Sequence, residues 1–267
     1  MAGEPITNQF MLTSASLLLG PMADQKVLTP TTHSIGLVKN VQVTADPQFV
    51  ELTYGISSTV AMTVKRDNGL KIAAEVYEYT PQNIAYMMGL NGASGYTLNT
   101  TTHALNANVA GGATTAVVVG DQTTTYAAGK WIFIQENIGG RDVVHIAKVV
   151  SSAFSTNTTI TFTGWATPTG VTFSSANARI GVINKIDLQS EVENHTMACR
   201  IVGLMAKDKR PIIIHMPKVK VTKGFSLTMN NDNFSNLPLE LTPYQPLAAD
   251  DGYSADFAEA LSIFPGG

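Results

Sequence analysis

Between Ser34 and Val76 apolar side chains recur at every second position in three successive runs. This alternation limits the fold more than any other feature, because a repeat of two sets one face of a strand against a core and cannot be met by a helix. Ile35, Leu37, Val41 and Val43 form the first run, Val60, Met62 and Val64 the second, and Leu70, Ile72, Ala74 and Val76 the third. Asp67-Asn68-Gly69 reads as a hairpin turn, since Asn and Gly accept the positive φ that tight turns between twisted strands require. After Tyr79 the repeat changes. Thr80 as N-cap, Pro81 at the first helical position and Gly89 near the end predict one short helix over PQNIAYMMG, with Ile84, Met87 and Met88 facing a core.

A stretch rich in Gly, Asn, Ser and Thr follows Asn91, and then strand-like runs resume: AVVVG, KWIFIQE, DVVHIAKVV and TTITFTG, with turns at Gly139-Gly140 and Thr156-Asn157. The shift in composition predicts an inserted small barrel or sandwich. From Arg179 the chain returns to long strands, INKIDLQ, HTMACRIVGLMA, IIIHMPKVKVTKG and FSLTMN, with a polar turn at Asp208 to Pro211. Pro217 removes one backbone donor, which predicts that its strand lies at a sheet edge or carries a bulge. The final segment predicts another pair of short strands around a Pro-rich turn. The expected fold class is therefore all-β with one short helix: a β-sandwich or barrel made of residues 1–90 and 179–267, and an inserted β-rich domain over 91–178.

Charged residues make up only 14% of the chain, well below the usual quarter, which suits a surface covered by copies of itself. The net charge of −3 offers no broad positive field for nucleic-acid phosphates. Cys199, the single cysteine, lies in an apolar run and reads as a buried structural thiol. The N-terminus has no basic leader and its apolar stretch, Ala15 to Gly20, is too short to span a bilayer, so no membrane insertion is expected. Asn233-Phe234-Ser235 carries no weight as a glycosylation site without such a leader.

No catalytic, cofactor-binding or metal-ligating set is found. His33, His103, His145, His195 and His215 are scattered singly, and neither a nucleophile elbow nor a phosphate-cradling or dinucleotide-binding glycine loop occurs. The carboxylates at Glu75/Glu78, Asp250/Asp251 and Glu191/Glu193 read as solvated surface rather than acid-base pairs. Trp131 and Trp165 are the only large aromatics that argue for a carbohydrate-binding or carbohydrate-cleaving protein.

Two segments, KNVQVTADPQFVELTYGISSTVAMTVKRDNGLKIAAEVYEYTPQNIAYMMGL and AKDKRPIIIHMPKVKVTKGFSLTMNNDNFSNLPLELTPY, give the chain a resemblance to bacteriophage tail tube proteins and, more distantly, to the type VI secretion tube protein. The resemblance covers about two thirds of the chain and leaves out the insertion. It implies a structural virion protein of the phage tail, made in the host cytoplasm, that is not an enzyme and uses no cofactor. Subunits would form six-membered rings with sheets joined edge to edge, stacked into a tube for the genome.

On that reading Pro217, Lys218 and Lys220 mark a strand edge between subunits. The arm Met1 to Thr32 and the loop Asp46 to Gly55, with Asp46, Pro47, Gln48 and Phe49 at its start, are the candidate contacts between rings. Glu75, opposite the apolar Ile72/Ala74/Val76 face, is the candidate lumen-facing group that repels DNA phosphates. Partners would be the chain itself, with tail sheath, tape measure, baseplate and tail terminator proteins, and DNA in passage without stable binding. The alternative is a capsid decoration or baseplate protein of the same virus.

Overall fold

The computed structural model describes residues 15–54, 59–90, 96–163, 170–187, 195–204, 209–223, 226 and 236–265. The chain is all-β and divides into two compact units, residues 1–96 with 188–267, and residues 97–187. The first unit holds β1 (Ser16–Pro21), β2 (Val38–Ala45), β3 (Gln48–Tyr54), β4 (Thr59–Asp67) and β5 (Leu70–Val76). The second holds β6 (Thr102–Ala104), β7 (Thr115–Val119), β8 (Trp131–Ile138), β9 (Arg141–Phe154), β10 (Asn157–Thr163) and β11 (Arg179–Ile183). The chain then returns to the first unit as β12 (Met197–Leu204), β13 (Pro211–Val221), β14 (Leu237–Pro243) and β15 (Ser262–Phe264). Residues 179–183 belong to the insertion because β11 pairs there with β6 and β8.

The sheet of the first unit runs β1-β12-β13-β14-β5-β2, with β15 also on β13. Alternation builds its core directly: Leu237, Leu239 and Leu241 pair with Val76, Ala74 and Ile72, and all six are buried. The sheet curls into a half-barrel, and one end closes where Ile35 N–H donates to Leu17 O at 3.2 Å beside the Leu18–Ser34 bridge. Cys199 is fully buried and its thiol is pushed up to about 12 by desolvation, which makes it inert.

Two α-helices are present among the described residues, α1 (Pro30–His33) and α2 (Pro81–Met87). In α2 the Thr80 hydroxyl accepts from Asn83 N–H at 3.1 Å, as the cap reading requires. The buried face is Asn83, Ala85, Tyr86 and Met87, while Ile84 and Met88 are half-buried. The helix is rotated from the expected face because the Asn83 amide donates inward to Ile35 O at 3.0 Å and Glu78 O at 2.8 Å.

β13 is an interior strand, which corrects the edge placement of Pro217, Lys218 and Lys220. It pairs with β12 on one side and with β14 and β15 on the other. The missing donor of Pro217 is absorbed instead by a bulge: Cys199 faces Met216 but Met197 faces Val219. Lys218 bonds Asp250 at 2.7 Å within its own chain. β14 and β15, expected as a pair, both dock on β13 and not on each other.

The six strands of the second unit run β6-β11-β8-β9-β10-β7. Leu105, one residue beyond β6, bridges Val118 of β7, and Asn106 N–H donates to Val117 O at 2.7 Å, so the ends of the sheet meet and the barrel closes. The Gly139-Gly140 turn has φ of 58° and 79° at its two residues, the geometry of a tight hairpin. Tyr126 is fully buried among Ile132, Ile160, Phe162 and Ile180, and its hydroxyl donates to Ile180 O at 3.0 Å while lying 2.7 Å from His103 Nδ1. Tyr126→Phe strands both partners and should cost about 1–3 kcal/mol, read as a shift of the barrel's urea midpoint with unchanged slope.

Candidate functional site

β2 with β5 and β3 with β4 form one long two-stranded ribbon. Ala45 pairs with Leu70, Asp46 N–H donates to Gly69 O at 3.3 Å, and Gln48 pairs with Asp67, so the ladder continues through the junction. Asp67-Asn68-Gly69 is thus not a chain reversal between neighbouring strands but an irregularity inside the ribbon. Gly69 has φ +55°, and an added Cβ would lie 2.0 Å from Asp46 O, so only glycine fits.

The root half of the ribbon is built into the half-barrel through β14, whereas among the described residues β3 and β4 pair only with each other. Bulges between Gln48 and Phe49 and between Leu52 and Thr53 twist this outer half. Val50 faces Val64 and Leu52 faces Met62 across the strands, giving one aliphatic face; these four are 54, 50, 63 and 57% exposed. The alternation of Val60, Met62 and Val64 therefore marks a strand as expected, but it leads to solvent and not to the core.

Asp46 and Pro47 connect β2 to β3, while Gln48 and Phe49 are strand residues, not loop, because both lie in the β3–β4 ladder. Of the expected N-terminal arm, residues 15–32 are folded into β1, a 3-10 turn at Met22–Asp24 and the start of α1. Residues 1–14 lie outside the described residues, as do residues 55 and 205–208, Trp165, Glu191, Glu193, Asn233-Phe234-Ser235 and most of FSLTMN.

Among the described residues the half-barrel is open at the root of the hairpin. An apolar groove of about 530 Å³ is lined by Val41, Val43, Leu70, Ile201, Ile212 and Ile263, among others. Ala45 and Leu70, the last pair before the hairpin, also line it. Among the described residues β2 pairs on one side only, with β5, and its outer edge there carries backbone donors and acceptors along the groove. Periodicity carries no signal for this groove, because its residues come from five strands and the segments before β1 and β15.

Glu75 does lie on the face opposite Ile72, Ala74 and Val76, and it is half-buried. Hydrogen bonds from Asn40 and then Tyr77, whose hydroxyl is 2.9 Å away, hold its carboxyl below the ordinary range. The face is not acidic, however: Lys39 sits directly across the ladder and Lys71 shares the strand face. Glu78 lies beyond β5, where its carboxylate accepts from Leu37 N–H at 2.9 Å. Among the described residues no group of three or more His, Cys, Asp and Glu could hold a metal ion, and no helix is long and apolar enough to cross a membrane.

Around Trp131 a polar hollow of about 500 Å³ includes Lys130, Lys148, Asn184 and Lys185. Its polar groups are largely engaged internally, Lys185 with Asp187 at 2.9 Å and Asn184 with Thr97 O at 2.7 Å, which leaves little to recognise a sugar. Among the described residues the largest uncovered aliphatic surface is therefore the hairpin beside the groove, a surface suited to association. Neither a scan against protein-family models nor a search of the curated proteins finds a match to this chain.

Proposed function

We propose that this chain is a structural subunit that assembles with itself, and that it forms the stacked hexameric rings of a phage tail tube through which the genome passes. The observation that carries the reading is the β3–β4 hairpin, whose aliphatic face has no cover among the described residues. A two-stranded sheet is marginal by itself in water, and a third layer or a partner has to supply its stability. Covering four half-exposed aliphatic side chains contributes about 1 kcal/mol each, roughly 4 kcal/mol per copy, which is realised only on association.

The edges of β2 and of the hairpin that are unpaired among the described residues support the same reading, since an unpaired edge is either a hazard or a joint. They replace β13 as the candidate places where sheets join between subunits. A chain of net charge −3 also suits a wall along which DNA slides without sticking. Sheath, tape measure, baseplate and tail terminator proteins are the further partners in this reading, in the virion and not in catalysis. Sedimentation across a concentration series is expected to show a hexamer and larger species growing with concentration. A monomer or trimer at every concentration would instead favour a decoration or baseplate protein.

A further inference from the structure

We infer that residues 244–265 form a strap latched by neutral His215, and that protonation of this histidine lifts the strap off β13 while the rest of the half-barrel stays folded. The strap runs from the end of β14 through a 3-10 turn at Ala255–Phe257 to β15. Within it only Pro246 and Ser254 are buried, whereas Leu247, Ile263 and Phe264 are 63, 57 and 46% exposed. It is attached by the ion pair of Asp250 with Lys218, by the Gln25 amide donating to Gly252 O, by a 4.0 Å approach of Lys26 to Asp256, and by the short ladder of β15 on β13. A segment with so little buried surface opens at a lower free energy than the sheet it lies on.

His215 lies beneath the strap, opposite Ser262 in the ladder, and its ring meets Phe257, which in turn meets Phe264. Its Nε2 is buried with no hydrogen-bond partner, and its Nδ1 accepts weakly from Arg200 Nε at 3.5 Å. The neutral ring is tolerated there, but an imidazolium would set a second donor against the guanidinium and bury an N–H without an acceptor. Arg200 on β12 is the charge that faces it. The carboxylates of neighbouring elements are engaged elsewhere, Asp24 with His33, Asp256 with Lys26 and Asp250 with Lys218, while Glu259 is exposed and β15 carries no charge. His215 is fixed in an interior strand, so the cover that can leave is the strap, and its departure bares the edge of β13 from Ile213 to His215. Desolvation and then Arg200 hold the pKa at about 4 while the strap is shut, and opening returns it toward about 6.5. Opening therefore takes up a proton, and the open fraction rises about 20-fold between pH 7 and pH 5.

Hydrogen exchange of the dilute full chain, followed by mass spectrometry at pH 7 and pH 5 and corrected for the intrinsic rate, tests this. Peptides over residues 255–265 are expected to lose protection about 20-fold from pH 7 to pH 5, to exchange faster than those over β14 at both pH values, and to respond little to dilute urea. His215→Gln, which cannot titrate, should hold the strap's protection constant over that range. Phe257→Ala, which removes the half-buried cover and leaves the sheet in place, should lower protection already at pH 7 and weaken its pH dependence. The inference is overturned if His215→Gln keeps the wild-type fall. It is equally overturned if the strap exchanges together with β14 and with the same steep urea dependence, since the strap then opens only when the whole unit unfolds.

Discussion

Lysine at both Leu52 and Met62 is expected to abolish rings and filaments while leaving the monomer's thermal unfolding unchanged within a degree or two. The two side chains face each other across the hairpin and are 63 and 57% exposed, so neither supports the core of its own copy. In the proposed assembly both positions would be covered, and two charges would enter an apolar contact without partners. The lost burial, about 2 kcal/mol, and the added desolvation of the ammonium groups together exceed about 3 kcal/mol, which raises the concentration needed for assembly at least 100-fold. Light scattering against concentration and a parallel melt separate the two effects. A variant that melts early would place the hairpin in the fold of the monomer instead.

The second large effect concerns acid. His215 is 1% exposed and sits under the Phe257 ring, with centroids 4.5 Å apart. Desolvation first, and then the charge of Arg200, lowers its pKa to about 4. The folded state therefore keeps the imidazole neutral, whereas the unfolded chain protonates it near the ordinary 6.5. Below that value the unfolded state binds the extra proton, so stability falls as pH drops from about 6.5 toward 4 and is intact above 7. The loss between pH 7 and pH 5 should be about 2 kcal/mol.

His215→Gln, which cannot titrate, should flatten the dependence in that window. Asp250 and Glu75, both held below their ordinary values, lose their contributions only at lower pH. Urea titrations at pH 7, 6 and 5 read the difference. An equal loss in the variant would move the acid sensitivity to other groups.

Strand existence was legible wherever one face met a core. The Leu237/Leu239/Leu241 ending and the Ile72/Ala74/Val76 run both alternate, and both are buried where alternation says. The Thr80 cap and the closely spaced strands of the insertion were also legible, because cap and turn chemistry are local. Pairing partners were not. Asn68-Gly69 supplies a positive φ in a turn and in a ribbon irregularity alike, so the dipeptide does not say which strands it joins. Pro217 gives up a donor equally at an edge or in a bulge, and only the register across β12 decides for the bulge.

The candidate surface was half legible. Val60, Met62 and Val64 alternate whether they face a core or a neighbouring copy, since the pattern records an apolar neighbour and not whose chain it is on. The groove was hidden because Val41 and Val43, Ile201, Ile212 and Ile263 are far apart in sequence and meet only when the sheet curls.

Negative-stain electron microscopy of the purified chain, concentrated at moderate salt, tests self-assembly into a tube most directly. The expected images are six-fold rings and hollow filaments with an open channel, absent from the Leu52→Lys/Met62→Lys variant. Discrete globular particles at every concentration, with and without nucleating tail-tip components, would contradict it.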